Sequence, residues 1–239
     1  MTSIIDDRGY NQGYRLVPST EVRMRRRADL ILSEMGDGTH GSILEIGCGT
    51  GEIAYWMAEK SPAQVLGTDL CAPFIEGARK NFQLPNLRYE VFDFNKPEQF
   101  SGERFDYIIG NGILHHLYEN LDAALLGLSR LLKDGGKIIF MEPNYHNPYV
   151  YLIFTYPSLR KVANLEPDEM AFSKSFIVKK LEKAAFADIR VDYKDFLIPG
   201  VPRFLIRPLI TLGAVLEKIP LVRHLSQSLF IRAVKKQTP

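Results

Sequence analysis

Ile43-Leu44-Glu45-Ile46-Gly47-Cys48-Gly49-Thr50-Gly51 joins a short apolar run to a turn with glycine at every second position, and an acid, Asp69, stands eighteen residues past Gly51. Glycines at such a turn adopt positive φ and let the backbone approach a ligand with no Cβ in the way, as at the strand ends of nucleotide-binding α/β folds. The spacing separates two ligand classes. A dinucleotide site reads GxGxxG and sets a pyrophosphate on the N-terminus of the next helix. Here the spacing is GxGxG, and Glu45 lies two residues ahead of the first glycine. A carboxylate there repels a pyrophosphate but suits a ligand that carries an ammonium and a sulfonium group.

S-adenosylmethionine is such a ligand, and from about Ile43 to Phe140 the chain resembles the class I, Rossmann-like S-adenosylmethionine-dependent methyltransferases. Four elements carry the likeness, in order. The glycine loop is the first, and the resemblance places Glu45, Gly47, Cys48, Gly49 and Gly51 against the methionine part of the cofactor. The second is Ala63-Gln64-Val65-Leu66-Gly67-Thr68-Asp69-Leu70, which implies ribose binding by Asp69 with Leu70 beside it. The third, Tyr89-Glu90-Val91-Phe92-Asp93-Phe94, implies that Asp93 and Phe94 meet the adenine. The fourth runs from Phe105 through Asn111 to Leu117 and leads from cofactor to substrate, with Asn111 at the cofactor. Each element also has a plainer use: a tight strand-to-helix turn, a helix cap at Asp69 ahead of Pro73, or a turn former at Asp93. The general look of the chain is that of the small-molecule branch, with lipid or quinone acceptors.

The chain of 239 residues is 46% hydrophobic, enough for a full core in one α/β domain spanning 1–239. Its two cysteines, Cys48 and Cys71, suggest neither a disulfide framework nor a metal cluster, so a reducing cytoplasm and no metal are expected. No basic start followed by an apolar stretch marks a secretory leader at Met1–Arg8.

Alternating strands and helices predict a doubly wound, mostly parallel seven-stranded sheet with helices on both faces and an antiparallel last strand. Strands are expected near 42–47, 64–69, 87–92, 105–110, 137–141, 188–194 and 228–234. Helices are expected near 20–35, 51–60, 73–82, 120–132 and 174–185. Residues 1–40 form an N-terminal lid and helix, with Tyr10, Tyr14 and Arg15 as lid candidates, and 41–142 form the cofactor-binding core. Residues 143–173 and 195–226 are apolar insertions, expected to cap the active site with Tyr149, Phe154 and Phe204 among the substrate-facing side chains. Their apolar residues have two readings, a cap core or a pocket for an apolar substrate. Contact with a membrane surface is a third use of the same residues, because from Pro199 onward seven Lys/Arg face one acid. Arg203, Arg207 and Glu217 interrupt the second insertion, and the first is too short to span a bilayer.

Methyl transfer from a sulfonium needs a nucleophile held in line, water excluded and, for oxygen or carbon acceptors, a proton removed. His115 and His116 follow the fourth strand at the ligand edge, and Glu142 ends the fifth; these are the catalytic candidates. Acceptors of the nucleobase-amine type usually bring an Asn/Asp-Pro-Pro-aromatic run after strand four, whereas this chain has Asn111-Gly112-Ile113-Leu114. Net charge of +2 with no appended basic module also disfavours nucleic acid. The expected activity is methyl transfer to a small, hydrophobic or aromatic molecule at oxygen, carbon or nitrogen in the cytoplasm or at a membrane surface. The alternative is a cofactor-binding regulator or partner subunit without catalysis.

Overall fold

In the computed structural model, residues 17–36, 40–94, 103–163, 165–166, 168–198 and 200–237 are described. Tyr10, Tyr14 and Arg15 lie outside them. Helix α1 (Pro18–Met35) precedes β1 (Ser42–Ile46), α2 (Glu52–Lys60), β2 (Gln64–Asp69), α3 (Ala72–Asn81), β3 (Leu87–Val91) and β4 (Phe105–Asn111). A 3-10 turn (Leu114–Asn120) leads into α4 (Leu121–Leu131), β5 (Leu132–Pro143), α5 (Pro148–Thr155), α6 (Pro157–Val162) and α7 (Lys174–Lys183). Strand β6 (Phe186–Lys194), α8 (Arg203–Leu216), a short 3-10 turn (Val222–Leu225) and β7 (Ser228–Lys235) follow.

The strands form one sheet in the order β3-β2-β1-β4-β5-β7-β6. Strands β1 to β5 pair in parallel, and β7 runs antiparallel to both β5 and β6. Side chains alternate across the strands with period two and bury both faces. Leu44, Ile46, Ile108, Ile138 and Phe140 pack with Leu121, Leu125 and Leu128 of α4 and Ile177 and Leu181 of α7. Their neighbours Ile43, Val65, Ile109, Ile139 and Met141 pack on the other face with Ala28 and Ile31 of α1, Ile53 and Met57 of α2, and Ile75 of α3. This is the doubly wound arrangement that the alternating pattern requires.

Strand order reverses between β1 and β4, the switch point where open α/β sheets leave a crevice outside their carboxyl ends. The glycine loop leaves β1 at that crevice, and Asn111 ends β4 beside it. Gly47 has φ of +63°, and a Cβ there would meet the Ile113 side chain at 2.6 Å, so only glycine lets the two loops close on each other. Strand β5 is longer than the expected 137–141. Its first residues reach back to pair Leu132 with Phe105, and a register shift follows where Gly135, at φ +75°, bends the chain.

Both insertions leave the same sheet edge as the glycine loop, because β4, β5 and β6 all point that way. The first contributes Val150, Phe154 and Ala171 to a small core with Tyr145, Ile153 and Leu165. Their starting and finishing segments are tied together: Asn147 Nδ2 donates to the Leu225 carbonyl at 2.6 Å, and Asn144 Nδ2 to that of Ser226 at 2.7 Å.

Candidate active site

A cavity of about 290 Å³ occupies the switch-point crevice. Glu45, Gly47, Cys48, Gly49, Asp69, Leu70, Asp93, Phe94 and Asn111 all line it, joined by Phe74, Phe92, Ile113 and Leu117. Gly51 sits just behind as the αL residue that starts α2. At one end the wall is aromatic, with Phe92 and Phe94 edge to face at 4.7 Å. Glu45, also on the cavity lining, is 1% exposed, and its Oε2 has no hydrogen-bond partner. Burial pushes the Glu45 carboxyl well above its usual range, with Glu52 and Asp69 adding to the rise against the Ala54 N–H. A buried, half-satisfied carboxyl lying beside the cavity is costly by itself. It fits a ligand that brings an ammonium group, which would satisfy the orphaned oxygen and favour the charged form.

Asp69 closes the loop from the other side. Its Oδ2 accepts from Gly49 N at 2.8 Å and its Oδ1 from Cys71 N at 2.9 Å, while burial lifts its carboxyl above the ordinary value against those bonds. The Cys48 thiol is likewise pushed well up by burial and by Glu45, so it is no nucleophile. Gly49 has φ of +53°, and a Cβ built on it meets nothing within 4 Å. The loop therefore forms a cradle that a methyl group would enter. Gly49→Ala is expected to weaken S-adenosylhomocysteine binding by calorimetry, while Gly135→Ala, equally left-handed and open, leaves it unchanged. Both pay the same left-handed strain of about 1–2 kcal/mol, so equal affinities in the two variants would remove the loop from the site.

Two histidines and two carboxylates cluster at the turn after β4, and of these His116 lines the cavity. Glu142 is buried and fully engaged: Oε1 accepts from Ile113 N and Leu114 N at 3.0 and 2.8 Å, and Oε2 from His115 Nδ1 at 2.9 Å. It fixes the turn that carries the histidines and does not line the cavity. His115 is buried, against Phe154 with ring centroids 5.9 Å apart. Burial and then its neighbour His116 push His115 below its usual value despite Glu142. His116 lines the cavity, and its Nδ1 lies 2.9 Å from Oε1 of the buried Glu169. Burial opposes charge on that ring, but Glu169, with Glu142 and Asp168 behind, outweighs it and raises His116 above its ordinary value. Donor atoms of His115, His116 and Glu169 lie within 4.8 Å of one another, the composition of a small cation site among the described residues.

Helix α1 supplies a part of the site that the sequence reading missed. Thr20, Arg23, Met24 and Arg27 line the cavity. Arg27 donates to Asn111 Oδ1 at 2.6 Å, to Asp195 Oδ2 at 3.0 Å and to Ser228 Oγ at 2.7 Å, and Arg23 reaches the same Asp195 oxygen at 3.0 Å. Burial first, then Arg23, lowers Arg27 to about 10, and Asp195 holds it from falling further. The one signal in the sequence is the pair of arginines four apart on an otherwise amphipathic helix. Glu169 has no such signal, standing among Glu166 and Asp168.

Among the described residues, none of those lining the cavity comes from 143–173 or 195–226. Tyr149 and Phe204 are 52% and 77% exposed, on the outside, and Phe154 packs behind His115. Arg27 and Arg23, bonded to Asp195, hold α1 at the cavity, and the insertions reach the residues that line it through Glu169 and Asp195.

Residues 44–140 match the family described as "Methyltransferase domain". A ubiquinone/menaquinone biosynthesis C-methyltransferase of Desulfotalea psychrophila is 28% identical over 199 residues, covering 74% of this chain and 76% of that protein. Ribosomal RNA small subunit methyltransferase C of Salmonella choleraesuis is 35% identical over 116 residues, which are 46% of this chain and only 34% of that protein. The solved structure of a SAM-dependent methyltransferase from Archaeoglobus fulgidus shares the fold, with a TM-score of 0.64 at 19% identity over 90% of this chain and 94% of the other.

Proposed function

We propose that this chain, a member of the class I S-adenosylmethionine-dependent methyltransferases with S-adenosylmethionine as its cofactor, methylates a small apolar or aromatic molecule, with His116 receiving the acceptor's proton. The observation that carries this reading is the His116–Glu169 pair: a histidine on the cavity wall whose Nδ1 lies 2.9 Å from a buried carboxylate. A carboxylate behind an imidazole fixes its tautomer and stabilises the imidazolium that forms when it takes a proton. Bound in the cavity, the cofactor supplies a methyl group already activated on sulfur. The chain does the rest: the glycine loop and the acids position, Phe92, Phe94 and Leu117 exclude water, and His116 holds the proton released at an oxygen or an aromatic carbon. The aromatic carbon is favoured by the quinone-biosynthesis relative, which spans most of this chain. The ribosomal RNA relative shares the core alone, and the net charge of +2 on this chain carries no large basic excess of the kind that nucleic-acid binding favours. The site of action is the cytoplasm, at a membrane surface where apolar acceptors collect.

Incubation of the purified protein with labelled cofactor and, separately, a lipid extract and total RNA tests this directly. Label is expected in the lipid fraction; label in RNA alone, or in neither, overturns the acceptor class. The proton role has its own readout. His116 must be neutral to accept a proton, and its value is raised, so the rate is expected to fall as pH drops through a point above about 6.5. Glu169→Gln removes the group that raises it and is expected to move this acid limb to lower pH, with kcat reduced by about tenfold or more and cofactor KM unchanged. An acid limb that does not move would take His116 out of the mechanism.

A further inference from the structure

Helix α8 is apolar on two opposite sides. Its inward side is Ile206 and Gly213 with half-buried Leu209, Ile210 and Leu216, and its outward side is Phe204, Pro208, Leu212 and Val215. An apolar side turned outward, opposite the one that packs inward, normally calls for cover, and this helix is at the surface. The pattern continues around it. Fourteen of the seventeen exposed large apolar side chains among the described residues lie in 149–162 or 198–225, including Val162 at 80% and Leu221 at 82%. The two segments meet through Asn147 and Leu225, at the sheet edge that carries the active site. Scattered exposed apolar residues need no explanation, but a concentration of this kind marks an interaction surface.

Charge selects the partner. Residues 148–163 carry Arg160 and Lys161 and no acid, while 200–225 carry Arg203, Arg207, Lys218 and Arg223 against Glu217. That one acid is already taken by Lys194 at 2.8 Å and by the Asp195 backbone N–H at 2.9 Å. Arg203 and Arg207 lie along one flank of α8, with the apolar outward side next to them. Tyr149, Tyr151 and Tyr156 add the amphipathic rings that settle at headgroup depth. At 14 residues α8 is about 21 Å long, short of the roughly 30 Å of a hydrocarbon core, and no described helix is long and apolar enough to cross a membrane. We propose that the outward faces of α5, α6 and α8 form one docking surface for an anionic lipid bilayer, with the apolar side chains among the acyl chains and the basic ones at the headgroups. This deepens the reading above by naming the surface from which an apolar acceptor is reached, and the docking itself requires no methyl transfer.

The test is flotation of the full chain with vesicles of phosphatidylcholine alone and of phosphatidylcholine mixed with phosphatidylglycerol. Binding is expected to the anionic vesicles, at least about tenfold above the neutral ones, and to weaken as salt screens the charges. Leu212→Ser with Val215→Ser and Leu221→Ser, all at exposed positions, is expected to abolish it while S-adenosylhomocysteine binding, measured alongside, persists and shows the variant folded. No partition into either vesicle type overturns the proposal, as does binding that survives the triple variant. So does a monomer–dimer equilibrium in ultracentrifugation that the triple variant removes, because a second copy of the chain then covers this face. Failure here leaves the labelling result standing, and failure of the labelling leaves vesicle binding standing.

Discussion

Asp69→Ala is expected to lower S-adenosylhomocysteine affinity by at least about 100-fold. Each charge-assisted hydrogen bond from the carboxylate to a ribose hydroxyl contributes about 1.5–3 kcal/mol, and the family resemblance implies one to each of the two ribose hydroxyls. The same carboxylate also ties Gly49 N and Cys71 N, so its removal loosens the cradle as well as the ribose contact. Asp69→Asn separates the two effects: one amide oxygen keeps a single backbone bond, and affinity should fall by an intermediate amount. Calorimetry on the three proteins reads this directly, and NADH titrated into the wild type should give no binding heat. Unchanged affinity in Asp69→Ala would remove Asp69 from the site, and tight NADH binding without thioether binding would contradict the cofactor.

What could be read locally was read from the sequence. The glycine loop, the strands before and after it, and the acids that end them each depend on a few neighbouring residues, and the apolar runs sit where the pattern put them. Parts of the site built by long-range packing left no local mark. Arg27 and Asp195 are 168 residues apart, and His116 meets Glu169 only because the first insertion folds back beneath the turn after β4. Glu142 shows a different limit. Its place at the end of β5 was legible, but its role, four contacts that fix the histidine turn, depends on loop geometry. The insertions were legible as apolar and no further, since apolar character demands cover without saying what supplies it. Phe154 found cover within the chain, whereas Phe204 and Tyr149 did not.

Asp195→Asn is expected to be the most destabilising single substitution at the site. Asp195 is 5% exposed and faces Arg23 and Arg27, each bonded at 3.0 Å, with Arg26 at 3.6 Å. Its backbone has φ of +73°, which asparagine accepts more readily than most residues, so the substitution tests charge with little added strain. Removing one partner from a buried ion pair costs about 3–5 kcal/mol, because the remaining charges stay desolvated. At about 2–4 °C per kcal/mol for a chain of this size, Tm should fall by about 6–20 °C. Arg27→Gln added to Asp195→Asn should cost less than the two single losses together, since the stranded guanidinium is then gone. Acid supplies an independent check. Burial opposes charge on Asp195, but Arg27 and Arg23 outweigh it and hold its carboxyl below the ordinary value. A depressed carboxyl contributes stability that is fully present above its unfolded value, about 3.9, and is lost as pH falls through the lower folded value. The stability gap between wild type and Asp195→Asn should therefore be constant from neutral pH down to about 4 and close below it. A Tm change under about 2 °C, or a gap that persists in strong acid, would mean that Asp195 is not the charge that holds α1 against the cavity.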